Sequence, residues 1–179
     1  MIRVRSTAAV VILMLSLAGC AGDASEVPAS TGSPEGETPA AKEEVTWQEA
    51  KARTQAMELE MAYSVPEDKV AKVDQLPTGV LIDCSDSLVN WRGATTVTLA
   101  EGTDPEPLVR EFEEKYRDSR FTIEARTAPA GHYEVGLASP ETAEIYLIAP
   151  GWDPNTIRIA SSSECFTWVD EGKYKRGKF

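Results

Sequence analysis

Small and apolar residues between positions 46 and 66 recur at steps of three and four, the spacing that places them on one face of a helix. This stripe consists of Trp47, Ala50, Thr54, Met57 and Met61. The other face carries the charged residues Glu49, Lys51, Arg53, Glu58 and Glu60. Thr46 and Glu49 have the spacing of a capping box, and Pro66 cannot continue a helix. We therefore predict an amphipathic helix that begins after Thr46 and ends before Pro66.

The next fifty residues combine helical and strand patterns. Val70, Val73 and Leu76 are three residues apart, which predicts a short helical turn. Residues 79–84 and 92–100 are typical of two strands. Asp104 and Pro105 are typical of a helix start, because one can cap the first turn and the other fits its geometry. The apolar stripe of this second helix consists of Leu108, Val109, Phe112 and Tyr116.

After residue 118 the pattern changes to alternation of apolar and polar residues, which is typical of half-buried strands. Four such segments follow at 121–126, 133–137, 143–149 and 156–161. Their short connections predict an antiparallel meander, since parallel pairing would need long crossovers. The two helices can cover one face of this sheet. We predict an α+β two-layer sandwich with a sheet of about five or six antiparallel strands, in the order α-β-β-α-β-β-β-β.

The first twenty residues have the layout of an export signal. Arg3 and Arg5 precede an almost unbroken apolar run at 8–17, which is shorter than the roughly 20 residues that span a membrane. The run ends in Leu17-Ala18-Gly19-Cys20, which resembles the lipobox of bacterial lipoproteins. That resemblance implies cleavage before Cys20 and a diacylglyceryl group on its thiol. The alternative is an ordinary secretory signal that ends in a chance cysteine.

The chain is predicted to have three parts: a signal peptide at 1–19, a lipidated cysteine with a disordered tether at 20–44, and one domain at 45–179. Residues 21–44 contain no aromatic residue and only Val27 as a large aliphatic residue, so they cannot bury enough apolar surface to fold. Two acyl chains on Cys20 would hold the protein stably at the membrane. We expect the domain to lie on the extracytoplasmic face of the cell membrane.

The chain has three cysteines, an odd number for an exported protein. If Cys20 carries lipid, then Cys84 and Cys165 remain as a pair in an oxidising compartment. We predict that they form a disulfide. Two free thiols or a metal site are the alternatives, although neither cysteine has a nearby histidine or cysteine ligand in the sequence.

The formal charge of −11 limits the classes of partner. Loss of residues 1–19 would remove two arginines and no acid, which moves the charge to −13. Such a surface is repelled by nucleic acid and by anionic headgroups. We therefore predict no nucleic-acid partner, and membrane contact only through the lipid anchor.

No motif in the sequence indicates catalysis. The single histidine, His132, is the only ordinary base for a nucleophile, and it lies beside a predicted turn without a Gly-x-Ser-x-Gly elbow. Too few histidines and cysteines remain for zinc, and no acidic segment matches a calcium loop. We predict no catalytic residues, no metal site and no cofactor.

Exposed aromatic residues are the remaining candidates for an interaction surface. Trp91 and Trp152 both lie in turn-like sequence contexts, and Arg92 follows Trp91. Tryptophan and arginine are enriched at interface hot spots. We predict Trp91, Arg92 and Trp152 as an interaction surface; the alternative is that one or both tryptophans fold back onto the core.

Residues 46–168 also resemble small actinobacterial lipoproteins of unassigned function. The features that carry this resemblance are the capped first helix, the strand that ends at Cys84, the helix after Asp104, and Cys165-Phe166 after the last strand. A cysteine before the central helix and a Cys-Phe after the last strand are similar to those of LppA-like lipoproteins. The resemblance implies an envelope location and a paired cysteine, and no enzyme activity. The leading hypothesis is a non-catalytic, lipid-anchored binding or accessory domain that contacts an envelope protein or a cell-wall component. The alternative is a small cell-wall-modifying hydrolase that uses His132 or a carboxylate pair.

Overall fold

A computed structural model describes residues 44–168, 178 and 179, which all belong to one compact unit. Two helices, α1 (Trp47–Ala62) and α2 (Pro105–Tyr116), pack against one antiparallel sheet. The strands of the sheet are β1 (Val70–Gln75), β2 (Val80–Asp83), β3 (Leu88–Leu99), β4 (Thr122–Thr127), β5 (Tyr133–Ala138), β6 (Ile145–Pro150), β7 (Thr156–Ser162) and β8 (Phe166–Thr167). The predicted α+β class, with two helices on an antiparallel sheet, is confirmed.

The main path of the sheet runs β1-β3-β7-β6-β5-β4. The four consecutive strands β4 to β7 form the predicted meander, and β7 then pairs with the long strand β3. The beginning of β3 is flanked by β2 on one side and β8 on the other. Strand β3 therefore pairs with both the N-terminal strands and the C-terminal strands of the sheet.

Both helices begin as their sequences predict. Thr46 and Glu49 form a complete capping box, in which the Thr46 amide donates to the Glu49 carboxylate over 2.9 Å. Asp104 caps α2 by accepting a hydrogen bond from the Glu106 amide at 3.0 Å. The helices cover the same face of the sheet, so that their apolar residues form one core with the inward-facing residues of β3, β5, β6 and β7. The other face carries no helix of the described residues.

The segment after Pro66 corrects one local prediction. A single 3-10 turn spans Glu67–Lys69, and the predicted helical turn at Val70, Val73 and Leu76 is wrong because Val70–Gln75 is strand β1. Residues 72–75 pair with Thr98 to Thr95 of β3, after a register shift beyond Val70. Pairing with an available edge of the sheet therefore determines the conformation of this segment, and the three-residue spacing of its apolar residues does not. With β1 and the two-residue β8, the sheet has eight strands.

A second, smaller core lies at the beginning of β3. Trp91 is fully buried there and packs with Ala50, Leu81, Val89 and Phe166. Strand β3 begins at Leu88 rather than at the predicted residue 92, so Trp91 lies within a strand and not in a turn. The prediction of Trp91 as an interaction residue is therefore wrong, and the alternative of a tryptophan within the core is correct.

The disulfide between Cys84 and Cys165 is present, with a Cα–Cα distance of 6.4 Å. Cys84 follows β2 and Cys165 precedes β8, the two short strands on either side of Val89. The predicted disulfide is confirmed, and it joins two short strands that both pair with β3. Within the described residues, no helix has the length and apolar character to span a membrane.

Candidate functional site

The face of the sheet opposite the helices carries several exposed apolar side chains, and no described helix covers it. Five of the seven large hydrophobic residues described as exposed extend from strands or a loop on this side: Val80, Ile82, Ile145, Leu147 and Trp152. Side chains alternate between the two faces of a strand, so the neighbours Tyr146 and Ile148 are buried beneath the helices. We call the surface formed by Val80, Ile82, Arg92, Ile145, Leu147, Trp152, Arg158 and Ala160 the open face.

Strand registers show how the open face is arranged. One row across the sheet runs through Val80, Arg92, Ser162 and Ile145, and the next through Ala94, Ala160, Leu147 and Gly136. The second row is formed mainly by small residues, which leave a depression beside Leu147. A contiguous apolar surface of this kind on a small domain marks an interaction site more often than a scattered hydrophobic residue does.

Two shallow grooves follow from this arrangement. One, of about 480 Å³, is lined by residues that include Arg92, Ile145 and Ser162. The other, of about 590 Å³, is lined by residues that include His132 and Trp152. Leu147, Arg158 and Ala160 line both grooves, so the two grooves form one continuous depression across the sheet.

Trp152 stands at one end of the depression with 89% of its surface exposed. The Arg158 guanidinium lies 4.8 Å from the centre of its ring, within the range of a cation–π contact. This contact orients both side chains without neutralising the arginine. The predicted interaction residues Arg92 and Trp152 therefore lie on the same face, and Trp91 is the one that does not.

The positive charges on the open face are available to a ligand. Arg92 contacts the Asn90 side-chain oxygen at 3.3 Å, and neither Arg92 nor Arg158 forms a salt bridge with a described residue. Arg126 on β4 differs, because it pairs with Glu134 at 2.7 Å and Glu124 at 2.9 Å. The hydrogen bond and charge of Glu134 raise the pKa of Arg126.

His132 lies on the rim of the larger groove. Its Nε2 is 3.7 Å from Glu134, the only acid that lines this groove, and none of the groove's lining residues is a serine. Glu134 is already held by Arg126. No described hydroxyl group donates to His132 or accepts from it. The arrangement lacks the nucleophile–base pair that covalent catalysis requires.

Helix α1 carries a buried carboxyl group at a position that the sequence pattern assigns to its solvated face. Glu58 is predicted on the solvated face of the first helix, and this prediction is wrong because the side chain is fully buried against the sheet. Its oxygens accept hydrogen bonds from the hydroxyls of Thr95, at 2.7 Å, and Ser161, and from the Gln75 amide at 3.1 Å. Burial raises the pKa of Glu58, while these hydrogen bonds oppose the change.

A second buried acid, Glu144, is bound by two arginines. Arg53 of α1 contacts it at 2.9 Å, and Arg120 lies 3.6 Å away. Arg53 also pairs with Glu164, next to Cys165. The Glu58 carboxylate is hydrogen-bonded by Thr95, Ser161 and Gln75, and the Glu144 carboxylate is ion-paired with Arg53 and Arg120. We therefore interpret both groups as anchors of α1 and not as a catalytic pair.

The sequence also contains a pattern that indicates the apolar residues of the open face. Ile145-Tyr146-Leu147-Ile148 is an unbroken run of large apolar residues, which is typical of a strand covered on both faces. In a two-layer fold, such a run must leave one apolar face without a helix. Sequence reasoning missed this surface, although the run itself marks Ile145 and Leu147 as candidates.

Among the described residues, no cluster of three or more histidine, cysteine, aspartate or glutamate side chains could hold a metal ion. Cys20 lies outside the described residues, so its lipidation stays a prediction. Comparisons of the chain with protein families, with curated proteins and with solved structures give no match.

Proposed function

We propose that this protein is a lipid-anchored, extracytoplasmic binding domain whose open face contacts a partner at the cell envelope. The observation that carries the proposal is the exposed apolar surface around Leu147 and Trp152, beside two arginines without salt-bridge partners among the described residues. Interfaces are built from such clusters, in which aromatic and arginine anchors are surrounded by apolar contacts. The predicted anchor at Cys20 and the tether up to residue 44 would keep this surface close to the membrane.

The anchor is tested with Cys20→Ser. We expect this variant to leave the membrane fraction or to remain unprocessed, because the thiol that accepts the diacylglyceryl group is absent. Fractionation and mass spectrometry of the mature N-terminus measure both outcomes. An unmodified N-terminus produced by cleavage at another position would refute lipidation at Cys20.

The binding surface is tested by cross-linking in intact cells. Leu147→Glu and Trp152→Ala should each remove the adducts formed by the wild-type protein, since both alter the depression. Tyr63→Ala is the matched control, because Tyr63 is an aromatic residue with 71% exposure that follows α1. Equal adducts from all three variants would contradict the assignment of the open face.

A cell-wall-modifying hydrolase is the second candidate, because His132, Glu134 and Trp152 line one groove. The binding proposal expects His132→Ala to preserve biological activity and to change stability by about 0.5 kcal/mol or less, as substitutions outside the core usually do. Release of soluble fragments from purified cell wall is the measurement that separates the two candidates. Fragment release by the wild type, with its loss in a folded His132→Ala variant, would establish the hydrolase.

A further inference from the structure

The two arginines of the open face are held at a defined separation. The β3–β7 register places Arg92 opposite Ser162 and Arg158 opposite Thr96, an offset of four residues. The two Cα atoms are therefore about 13 Å apart along the strands and about 5 Å apart across them. Both side chains line the same groove, so one ligand can contact both.

The surface between the two arginines is apolar, and its short side chains leave it lower than the neighbouring residues. Ala94 and Ala160 pair directly there, and Leu147 pairs with Ala160 from the next strand. A side chain placed over the two alanines would find room above them and a hydrophobic wall at Leu147, 38% of whose surface is exposed. The floor between the two arginines thus suits an apolar group.

The two arginines indicate which charged groups a ligand should carry at its two ends. The chain carries a net charge of −11, yet neither Arg92 nor Arg158 forms a salt bridge with a described residue. A guanidinium binds a carboxylate through paired hydrogen bonds, and matched charges favour the correct partner and register. The pattern along the depression is therefore cationic, apolar and cationic.

An extended polypeptide matches this pattern in length. In a strand, residues i, i+2 and i+4 project from the same side, and four residues span about 13 Å. We propose that the open face binds an extended acidic segment of a partner protein, with carboxylates at positions i and i+4 and an apolar residue at i+2. This inference rests on the proposed function of the open face as a binding surface.

The test uses blocked, fluorescent twelve-residue peptides and the purified full-length protein in nanodiscs of neutral phosphatidylcholine. The first peptide carries two glutamates four positions apart with leucine midway, and the second has the same composition with adjacent glutamates. Fluorescence anisotropy should give saturable binding of the first peptide, at least about tenfold tighter than of the second, if the spacing contributes one correctly formed charged contact.

Matched variants connect the binding to the two arginines. Arg92→Ser with Arg158→Ser should weaken the spaced peptide by about tenfold or more. Lys69→Ser with Arg117→Ser removes the same charge from the 3-10 turn and the end of α2, where both cations pair with surface acids, and should leave affinity nearly unchanged. The melting temperature of each variant verifies that it folds.

Three outcomes would overturn the inference. Equal binding of both peptides would refute the spacing, and equal weakening by both double variants would refute the role of the two arginines. Failure of every peptide to bind, while cellular adducts still depend on Trp152, would refute an acidic segment but leave the open face as a binding surface. Sugar-containing adducts in that case would identify a glycan. If the adducts are also independent of Trp152, the proposed function itself fails.

Discussion

On strand β6, Tyr146 and Ile148 are fully buried beneath the helices, whereas Ile145 and Leu147 keep 51% and 38% of their surface exposed. The same contrast separates Trp91, which is fully buried, from Trp152, which is 89% exposed. Residues of the same chemical types therefore form the core on one face and an accessible surface on the other. The position of the helical layer therefore decides whether such a residue belongs to the core, and its residue type does not.

The largest expected effect concerns the two tryptophans. Trp91→Ala should lower the free energy of unfolding by about 3–5 kcal/mol, because it removes a large side chain from the second core and leaves a cavity. Trp152→Ala should change it by about 0.5 kcal/mol or less. Urea denaturation of both variants measures the contrast. Similar losses of stability in the two variants would contradict the assignment of Trp91 to a core and of Trp152 to an accessible surface.

The disulfide should have the next largest effect on stability. Replacing both cysteines, with Cys84→Ala and Cys165→Ala, should cost about 2–4 kcal/mol of stability, since the bond constrains an unfolded chain in which the cysteines are 81 positions apart. Thermal denaturation should show a lower melting temperature with an unchanged far-UV circular dichroism spectrum. An unchanged melting temperature would show that the pairing around β3 needs no covalent support.

Glu58 gives a pH-dependent effect that the open face should lack. Burial is the largest cause of the raised pKa, and the hydrogen bonds from Ser161, Thr95 and Gln75 and the charge of Arg158 oppose it. A raised folded-state pKa favours the protonated form, so its contribution to stability is complete below the ordinary carboxyl pKa. That contribution is lost as pH rises through the folded-state pKa.

We therefore expect Glu58→Gln to gain stability relative to wild type as pH is raised from about 4 to 8, because glutamine cannot ionise. Urea denaturation at several pH values measures this difference. Glu60→Gln, at an exposed position on the same helix, is the control and should give a smaller pH dependence. A wild-type–variant difference that is constant with pH would contradict the assignment.

The smallest expected effect on stability belongs to the open face itself. Ile145→Thr with Leu147→Thr should lower the free energy of unfolding by about 1 kcal/mol per site or less, since both side chains are only partly buried and threonine has the β-branched shape favoured in strands. The same double variant should lose cross-linked adducts in cells. A large loss of stability would show that these side chains belong to a core, and would remove the basis of the binding proposal.

Local patterns predicted much of this molecule from sequence. The capping box at Thr46, the helix start at Asp104 and the alternation after residue 118 are determined by neighbours in the chain, and all three are confirmed. The Cys84–Cys165 bond is also confirmed, because the number of cysteines left few pairings. These features depend on the spacing of neighbouring residues and on the number of cysteines, and both can be read directly from the sequence.

The errors share one physical cause. Val70–Gln75 forms a strand because an edge of β3 is available, Trp91 is buried because Leu81 and Phe166 lie against it, and Glu58 is buried because hydroxyls of distant strands satisfy its oxygens. Each residue's state depends on partners far away in the chain. The two helices, the alternating strands after residue 118 and the disulfide could therefore be predicted from the amino-acid sequence. Which face of the sheet the helices cover follows from the packing of distant segments, because the burial of a residue depends on what packs above it and not on the residue alone.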